Sequence, residues 1–125
     1  MKTLVIIDDE VFFRKSLSNF LEKQNIYEIA GEANNGQAGI QLIENTKPDI
    51  ALVDISMPVM NGLDMIAALR ADCRTRFILS TGYEDFDYAK KAISLQVRGY
   101  LLKPLNHQEL METLQKVSDE IDQED

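Results

Sequence analysis

Three aspartates and one lysine of this 125-residue chain stand at positions that suit phosphoryl chemistry. Asp8 and Asp9 directly follow one short apolar run. Asp54 follows another, and Lys103 follows a third. A carboxylate can attack a phosphoryl group to form an aspartyl-phosphate, and a nearby ammonium group or divalent cation stabilises charge on the transferring oxygens. Asp54 is therefore a candidate nucleophile if the fold brings the other three residues beside it.

The ligand types in this set indicate a hard metal ion. Carboxylates held close together repel one another, so either their pKa values rise or a cation neutralises them. The set contains carboxylates and neither histidine nor cysteine, and oxygen ligands of this kind favour Mg²⁺ where phosphate is handled. The sequence therefore predicts a site for Mg²⁺, or another hard divalent cation, next to Asp54.

The elements that must position these residues are visible as five short apolar runs separated by longer amphipathic segments. The runs are typical of β-strands and cover residues 3–7, 27–31, 50–53, 77–80 and 99–102. The first, third and fourth are almost entirely apolar, which favours a parallel sheet buried on both faces. Strands that alternate with helices predict an α/β fold: a doubly wound, five-stranded parallel sheet with helices on both faces.

Helical spacing of apolar residues is present in the segments between and after the strands. The last segment is the clearest, because its apolar residues fall on one face of a helix: Leu110, Leu114, Val117 and Ile121. Asn106 and Glu109 open this segment in the arrangement of a capping box led by asparagine. The acidic residues 119–125 at its end are expected to fray.

Charged and polar side chains follow four of the five predicted strands. In open α/β sheets, ligands bind beyond the carboxyl ends of the strands. Acids follow the first and third strands, a hydroxyl the fourth and an ammonium group the fifth: Asp8, Asp9, Glu10, Asp54, Thr81 and Lys103. A single aspartate after a strand is most often a turn or helix-cap residue, and a single lysine is most often solvated. Their coincidence at four strand ends instead predicts one shared site.

Composition argues against several other functions. The chain has a net charge of −8 and a pI of about 4.6, whereas surfaces that bind nucleic acid or anionic membranes need clustered lysine and arginine. The single cysteine, Cys73, suits a reducing compartment. No apolar run reaches the roughly 20 residues of a membrane span. We expect one cytoplasmic domain over residues 1–125 that by itself neither binds DNA nor enters a membrane.

The chain resembles a bacterial two-component response-regulator receiver domain. The resemblance rests on five stretches in order: IIDDE at 6–10, VDISMP at 53–58, NG at 61–62, TG at 81–82 and YLLKP at 100–104. A further stretch, GYEDFDYA at 82–89, is similar to receivers fused to AraC-type DNA-binding domains. The resemblance implies the flavodoxin-like receiver fold with strand order 2-1-3-4-5.

The resemblance implies roles for the residues after the first and third strands. Asp54 corresponds to the phosphoacceptor that a histidine kinase phosphorylates, and it also contributes to the metal site. Asp8 and Asp9 correspond to the acidic pair that organises Mg²⁺, with Asp9 as the more direct ligand. Ser56 occupies the position whose backbone carbonyl binds the metal.

The resemblance also implies roles for residues of the fourth and fifth strands. Thr81 corresponds to the switch hydroxyl that moves to the phosphoryl group. It is preferred to Ser80 because alignment on the glycine-tyrosine pair that follows, and on Lys103, selects that position. Tyr100 corresponds to the switch aromatic residue. Lys103 corresponds to the lysine that pairs with phosphate, and its bond to Pro104 is typically cis in the family, as X–Pro bonds can be at low cost.

The implied function is a phosphorylation switch. The chain is expected to catalyse only its own phosphorylation and dephosphorylation, and is therefore not an enzyme for other substrates. Phosphorylation would change the face formed by the fourth helix, fifth strand and fifth helix, and so control an attached transcription regulator through a homodimer. Val97 and Arg98 replace the acidic pair used in one familiar receiver dimer, so that dimer is not assumed. The alternative is a stand-alone, single-domain switch in a phosphorelay or protein interaction.

Three other readings fit the residues less well. A flavodoxin-like flavin binder would share the fold, but it needs a phosphate loop rich in glycine, serine or threonine where this chain has Asp8, Asp9 and Glu10. A haloacid-dehalogenase-type phosphatase uses an Asp-x-Asp motif, whereas Ser56 stands two residues after Asp54. A degenerate receiver that only binds partners would lack acidic or basic positions that are all present here.

Overall fold

Five strands alternate with five helices in the computed structural model, which describes residues 1–82 and 85–124 except for the side chain of Phe86. The strands are β1 (Lys2–Ile7), β2 (Tyr27–Ala33), β3 (Ile50–Asp54), β4 (Arg76–Thr81) and β5 (Gly99–Leu102). The helices are α1 (Val11–Gln24), α2 (Gly36–Thr46), α3 (Gly62–Ala68), α4 (Phe86–Ser94) and α5 (His107–Glu124). None of the helices within these ranges is both long and apolar enough to cross a bilayer. Every predicted strand is present, and four are one or two residues longer than predicted because flanking residues also pair in the sheet.

The strands form one parallel sheet in the order β2-β1-β3-β4-β5, which confirms the predicted doubly wound receiver fold. The register aligns the strand ends: Asp54 lies opposite Ser80, and Thr81 lies opposite Leu102. The residues that follow β1, β3 and β5 therefore emerge together at one side of the sheet, which is termed the carboxyl edge.

Two apolar clusters, one on each face of the sheet, hold the helices in place. Along β1, Leu4 and Ile6 belong to the cluster that includes α1 and α5, whereas Val5 and Ile7 belong to the cluster that includes α2, α3 and α4. This alternation is the period of two expected of a strand. All four side chains are at most 1% exposed, so helices cover both faces as predicted.

Several helices begin at side-chain caps. The Oδ1 atoms of Asn35, Asn61 and Asn106 accept hydrogen bonds from the backbone N–H groups three residues ahead, at 2.8, 2.8 and 3.0 Å. Such a cap stabilises a helix by about 1 kcal/mol because it satisfies a donor that has no partner inside the helix. The asparagine cap predicted at Asn106 is confirmed. The Asn61 cap fixes the start of α3, close to Asp54.

The expectation that residues 119–125 fray is wrong for residues 119–124. Helix α5 continues to Glu124, and Ile121 is only 8% exposed. The Glu124 carboxylate pairs with Arg98 at 2.7 Å and also with Arg76. Basic residues at the amino-terminal ends of β4 and β5 thus hold the acidic end of the helix against the sheet.

Candidate functional site

Lys103 bridges two buried carboxylates at the carboxyl edge. Its Nζ atom lies 2.9 Å from Oδ2 of Asp8 and 3.5 Å from Oδ2 of Asp54. Asp8 is 1% exposed and Asp54 is 3% exposed. Buried carboxylates need such a partner because the desolvation of an unpaired charge is strongly unfavourable. The structure therefore brings together three of the residues that the sequence singled out.

The three aspartates also lie close to one another. One carboxylate oxygen from each of Asp8, Asp9 and Asp54 lies within 4.8 Å of the other two. Asp9 is exposed whereas the other two are buried, so the cluster opens to solvent on the Asp9 side. Mg²⁺ holds its oxygen ligands about 2.1 Å from the ion. The spacing of the three aspartate oxygens is only slightly larger than the spacing of oxygens bound to one such ion. The donors therefore fit the hard divalent cation that the sequence predicted.

The proton affinity of Asp54 differs from that of an ordinary aspartate. Burial and then the charge of Asp8 raise the pKa of Asp54 from its usual 3.8 to about 6, although Lys103 and the N–H of Ser56 oppose the shift. At pH 7 the group is still mostly ionised. Asp54 is thus available as a nucleophile and is more basic than a solvated aspartate.

Lys103 remains charged in this environment. Burial by itself lowers the pKa of Lys103, but the hydrogen bond to Asp8 and the charge of Asp54 outweigh it and raise the pKa above its usual 10.5. The ammonium group also lies 4.1 Å from the centre of the Phe13 ring, a cation–π distance. The sequence indicated Phe13 only as an apolar residue of a helix. Its contact with Lys103 joins distant parts of the chain, so no local spacing signals it.

Two further contacts hold Asp8, and neither was predicted from the sequence. The backbone N–H of Glu10 donates to Oδ1 of Asp8 at 2.9 Å, and Nη1 of Arg14 donates to the carbonyl oxygen of Asp8 at 2.7 Å. Arg14 also pairs with Glu32 of β2 at 3.0 Å. The second strand therefore contributes to the positioning of the site, although nothing near its end was expected to. The only signal in the sequence is that Arg14 falls in the first turn of α1, close to the end of β1.

The loop between β3 and α3 holds the backbone around Asp54. The N–H of Ser56 donates to Oδ1 of Asp54 at 3.2 Å. The N–H of Gly62 donates to the carbonyl of Ile55 at 2.9 Å, and a Cβ atom on Gly62 would lie 2.5 Å from the carbonyl oxygen of Asp54. Glycine is therefore required for α3 to begin this close to Asp54. The metal-binding role of the Ser56 carbonyl stays a prediction.

Thr81 ends β4, the strand that lies between those of Asp54 and Lys103. Its side chain is fully buried, and its carbonyl oxygen accepts a hydrogen bond from the N–H of Lys103 at 2.8 Å. Ser80, the other hydroxyl considered, is also buried and lies opposite Asp54 in the register. The bond from Lys103 to Pro104 is cis, as predicted. The switch role of Thr81 stays a prediction.

Tyr100 is half-buried on β5. Burial, followed by the nearby Asp85 and Tyr88, raises the pKa of Tyr100 above its usual 10.0. The Tyr100 hydroxyl is buried and has no hydrogen-bond partner in the part of the chain that the structure describes. A buried hydroxyl in this state can gain free energy by moving to a partner. This arrangement is compatible with the switch role of Tyr100, which stays a prediction.

A strained backbone position in the loop after Asp54 leads to a stability prediction. Val59 has a φ of 70°, in the left-handed region that β-branched residues disfavour, and its side chain is fully exposed. Val59→Gly should raise the free energy of unfolding by about 0.5–1 kcal/mol, because the relief of about 1–2 kcal/mol of strain exceeds the entropy that glycine adds to the unfolded chain. Urea unfolding measures the change. Val59→Ala keeps the Cβ atom, and an equal gain from that variant would contradict backbone strain as the cause.

The fold and the charged cluster together define a class: a flavodoxin-like domain with an acidic site and a lysine at the carboxyl edge of its sheet. The sequence matches the response regulator receiver domain over residues 4–115. The chain belongs to this family of two-component signalling domains, which confirms the resemblance drawn from its motifs.

Several characterised proteins are similar to this chain. Transcriptional regulatory protein BtsR of Escherichia coli (strain K12) is 34% identical over 125 residues, which are 100% of this chain and 52% of that protein. Chemotaxis protein CheY of Thermotoga maritima is 34% identical over 118 residues, which are 94% of this chain and 98% of that protein. The receiver domain of AraT, a response regulator from Geobacillus stearothermophilus, is 35% identical and superposes with a TM-score of 0.87, covering 98% of this chain and 97% of that one. The chain thus spans about half the length of the transcriptional regulators it matches.

Proposed function

We propose that Asp54 accepts a phosphoryl group from a histidine kinase and that the domain converts this event into a change of surface. The observation that carries the proposal is the environment of Asp54: a buried, ionised carboxylate with an ammonium group 3.5 Å from one oxygen and two further carboxylates beside it. Family membership supports a histidine kinase as the donor. The residue types match covalent catalysis by a carboxylate nucleophile.

The bonds and charges of the phosphoryl transfer to Asp54 can be accounted for with the groups at the site. A carboxylate oxygen of Asp54 forms a bond to phosphorus while the bond from phosphorus to the phosphohistidine nitrogen breaks, and the imidazole leaves with that electron pair. The acyl phosphate formed carries one more negative charge than the carboxylate did. Lys103 offers its ammonium group to the phosphoryl oxygens, and its pairing with Asp8 keeps it at the site instead of free in solvent.

Asp8, Asp9 and Asp54 are the side chains that would hold Mg²⁺, with the Ser56 carbonyl as a further ligand by resemblance. Mg²⁺, when bound, supplies positive charge to the phosphoryl oxygens. Asp8 and Asp54 share Lys103, whereas Asp9 has no cationic partner among the described residues. This difference supports Asp9 as the ligand with the most charge available to a metal.

Replacement of Asp9 should weaken Mg²⁺ binding without loss of the fold. Because Asp9 is exposed, we expect Asp9→Ala to leave the circular dichroism spectrum unchanged and to lower Mg²⁺ affinity about tenfold or more. Calorimetry or an NMR titration with Mg²⁺ alone measures this affinity. Glu10→Ala removes an equal charge from the next exposed residue and should bind Mg²⁺ nearly as tightly as wild type. Equal losses in the two variants would show that general charge, and not a ligand, had been removed.

We propose that the surface that changes on phosphorylation is formed by α4, β5 and α5. Apolar side chains are exposed there. Ile93 is 78% exposed and Leu102 is 40% exposed. Exposed apolar residues of this size suit a contact with another protein surface, here a second copy of the chain formed on phosphorylation. Lys91 of α4 reaches toward Asp64 of α3 at 3.5 Å.

A transcription regulator is the attached effector that the comparisons support. Relatives such as BtsR are named transcriptional regulatory proteins, and this chain covers 52% of that protein. The net charge of −8 supports a division of labour in which a separate domain contacts DNA and this one does not. The AraC type of effector stays a prediction from residues 82–89. The single cysteine supports the cytoplasm as the compartment of the switch.

A stand-alone switch is the second candidate. The observation in its favour is that the match to Thermotoga CheY covers 98% of that protein. In both cases we propose that the domain catalyses only its own phosphorylation and dephosphorylation.

A further inference from the structure

We infer that Phe13 is a positioning residue for phosphoryl transfer, because the face of its ring holds the Lys103 ammonium group where that group can reach the phosphoryl oxygens. The Nζ atom of Lys103 lies 4.1 Å from the centre of the Phe13 ring, within the range of a cation–π contact. The inference rests on the proposed acceptance of a phosphoryl group by Asp54. It adds a residue of α1 to the groups on which the transfer depends.

Three groups from different elements surround the Lys103 ammonium group. Oδ2 of Asp8, just after β1, accepts a hydrogen bond from Nζ at 2.9 Å. Oδ2 of Asp54, at the end of β3, lies 3.5 Å from Nζ, and the Phe13 ring of α1 lies at 4.1 Å. A lysine side chain has four rotatable bonds and loses much rotamer entropy when its end is fixed. The ring therefore adds a third restraint to a group that the two carboxylates would otherwise hold by themselves.

A ring face holds a cation in a different way from a carboxylate. The ring attracts the ammonium group through its quadrupole, and it adds no net negative charge to the site. Three carboxylates already lie within 4.8 Å of one another there. A further acid in place of Phe13 would hold Lys103 but would also repel the incoming phosphoryl group. An aromatic ring thus stabilises the cation without opposing the reaction.

The contact with the ring can persist while the hydrogen bonds of Lys103 change. Lys103 lies closer to Asp8 than to Asp54, and a phosphoryl group on Asp54 would bring new oxygens that compete with Asp8 for the ammonium group. An ammonium group has three N–H donors, of which Asp8 accepts one. The attraction of the ring depends on the distance of the charge from the ring face. Lys103 can therefore turn toward the phosphoryl oxygens and remain over Phe13.

The neighbouring phenylalanine provides a contrast. Phe12 and Phe13 both lie in the first turn of α1, but Phe12 is 88% exposed, whereas Phe13 is half-buried against the apolar cluster that includes α1 and α5. A leucine at position 13 would keep most of this apolar packing and lose only the ring face. Chemical changes to the ring at the two positions therefore separate the effect on Lys103 from a general effect on α1.

The test is the rate at which the whole chain gains a phosphoryl group from acetyl phosphate and Mg²⁺ when a fluorinated phenylalanine replaces Phe13 alone. Ring fluorines withdraw electron density from the ring face and change its volume and apolar character little. Three ring fluorines should slow phosphorylation about fivefold or more, and one fluorine should have a smaller effect. Phe13→Leu should lose at least as much as the form with three fluorines. Phe13→Tyr keeps the ring face and should react at nearly the wild-type rate.

The same replacements at Phe12 are the matched control and should leave the rate unchanged. Urea unfolding should give the fluorinated variants the wild-type midpoint, which shows that the fold is kept. NMR provides a readout other than phosphorylation: the ring current of Phe13 should shift the Lys103 Hε protons upfield in wild type, and Phe13→Leu should remove that shift.

A wild-type rate for the form with three fluorines at position 13, equal losses at positions 12 and 13, or no upfield shift in wild type would each overturn this inference alone. A wild type that gains no phosphoryl group would overturn the proposed function, and this inference with it.

Discussion

Asp54→Asn should stop phosphoryl transfer almost completely. Asparagine keeps the shape of the side chain and can still accept the hydrogen bond that the Ser56 N–H donates at 3.2 Å, but its amide oxygen is a poor nucleophile. We expect phosphorylation by acetyl phosphate and Mg²⁺ to slow by more than about 10³-fold. Intact-protein mass spectrometry measures the effect as the absence of one added phosphoryl group.

Asp64→Asn is the matched control for this experiment. Asp64 is exposed on α3, outside the acidic cluster, and the change in charge is the same. This control should gain a phosphoryl group at the wild-type rate. Full labelling of the Asp54 variant would assign the acceptor to another residue.

Asp54→Asn should also be more stable than wild type at neutral pH in the absence of metal. The pKa of Asp54 is about 6 in the folded chain against its usual 3.8, so the folded state holds the proton more tightly. Stability therefore falls as pH rises through that window, by up to about 3 kcal/mol at neutral pH. Asp54→Asn removes this loss, and its free energy of unfolding should exceed that of wild type by about 1–3 kcal/mol at pH 7.5. At about pH 4 the difference should nearly vanish, because Asp54 is then neutral in the folded state.

Urea unfolding with a chelator at the two pH values measures this difference. A gain of equal size at both pH values would point to packing and not to charge. A loss of stability at pH 7.5 would contradict the raised pKa itself.

Thr81→Ala should separate phosphorylation from its structural consequence. The variant leaves Asp54 and Lys103 unchanged, so it should still accept a phosphoryl group. A phosphoryl group is small, so its effect must be amplified by an element with two arrangements. We propose that the Thr81 hydroxyl moves to the phosphoryl group and that Tyr100 turns into the space it leaves. The Tyr100 hydroxyl has no hydrogen-bond partner among the described residues, which supports this step because a movement of the ring can bring a buried hydroxyl to an acceptor.

Amide exchange and sedimentation, with and without beryllofluoride, measure the response. Wild type should show altered exchange on α4, β5 and α5 and a shift toward dimer. Thr81→Ala should lose most of both changes, which corresponds to a coupling free energy of about 1–3 kcal/mol. Thr81→Ser keeps the hydroxyl, and Ser80→Ala removes only the neighbouring buried hydroxyl, so both should respond. A wild type without change on that face, or a fully responsive Thr81→Ala, would refute this mechanism.

The sequence by itself determined the order of the elements and the place where the charged residues meet. Short apolar runs without alternating polar residues indicate strands that are buried on both faces. The two apolar clusters that contain the residues of β1 show this burial. Parallel strands in one sheet present their carboxyl ends at the same edge. Asp8, Asp54 and Lys103 could therefore be placed together from their positions after three strands, before any distance was known.

Only the tertiary structure decided which of these groups pair. Lys103 lies closer to Asp8, at 2.9 Å, than to Asp54, at 3.5 Å, and the Phe13 ring covers its ammonium group. The tertiary structure also decided the pairing of Glu124. Its ion pair with Arg98 keeps the acidic end of α5 helical, although the composition of that segment predicted fraying. Spacing along the chain specifies the face and the edge that a side chain occupies. The partner with which a side chain pairs is selected by packing and burial, which depend on residues from every element that surrounds the side chain.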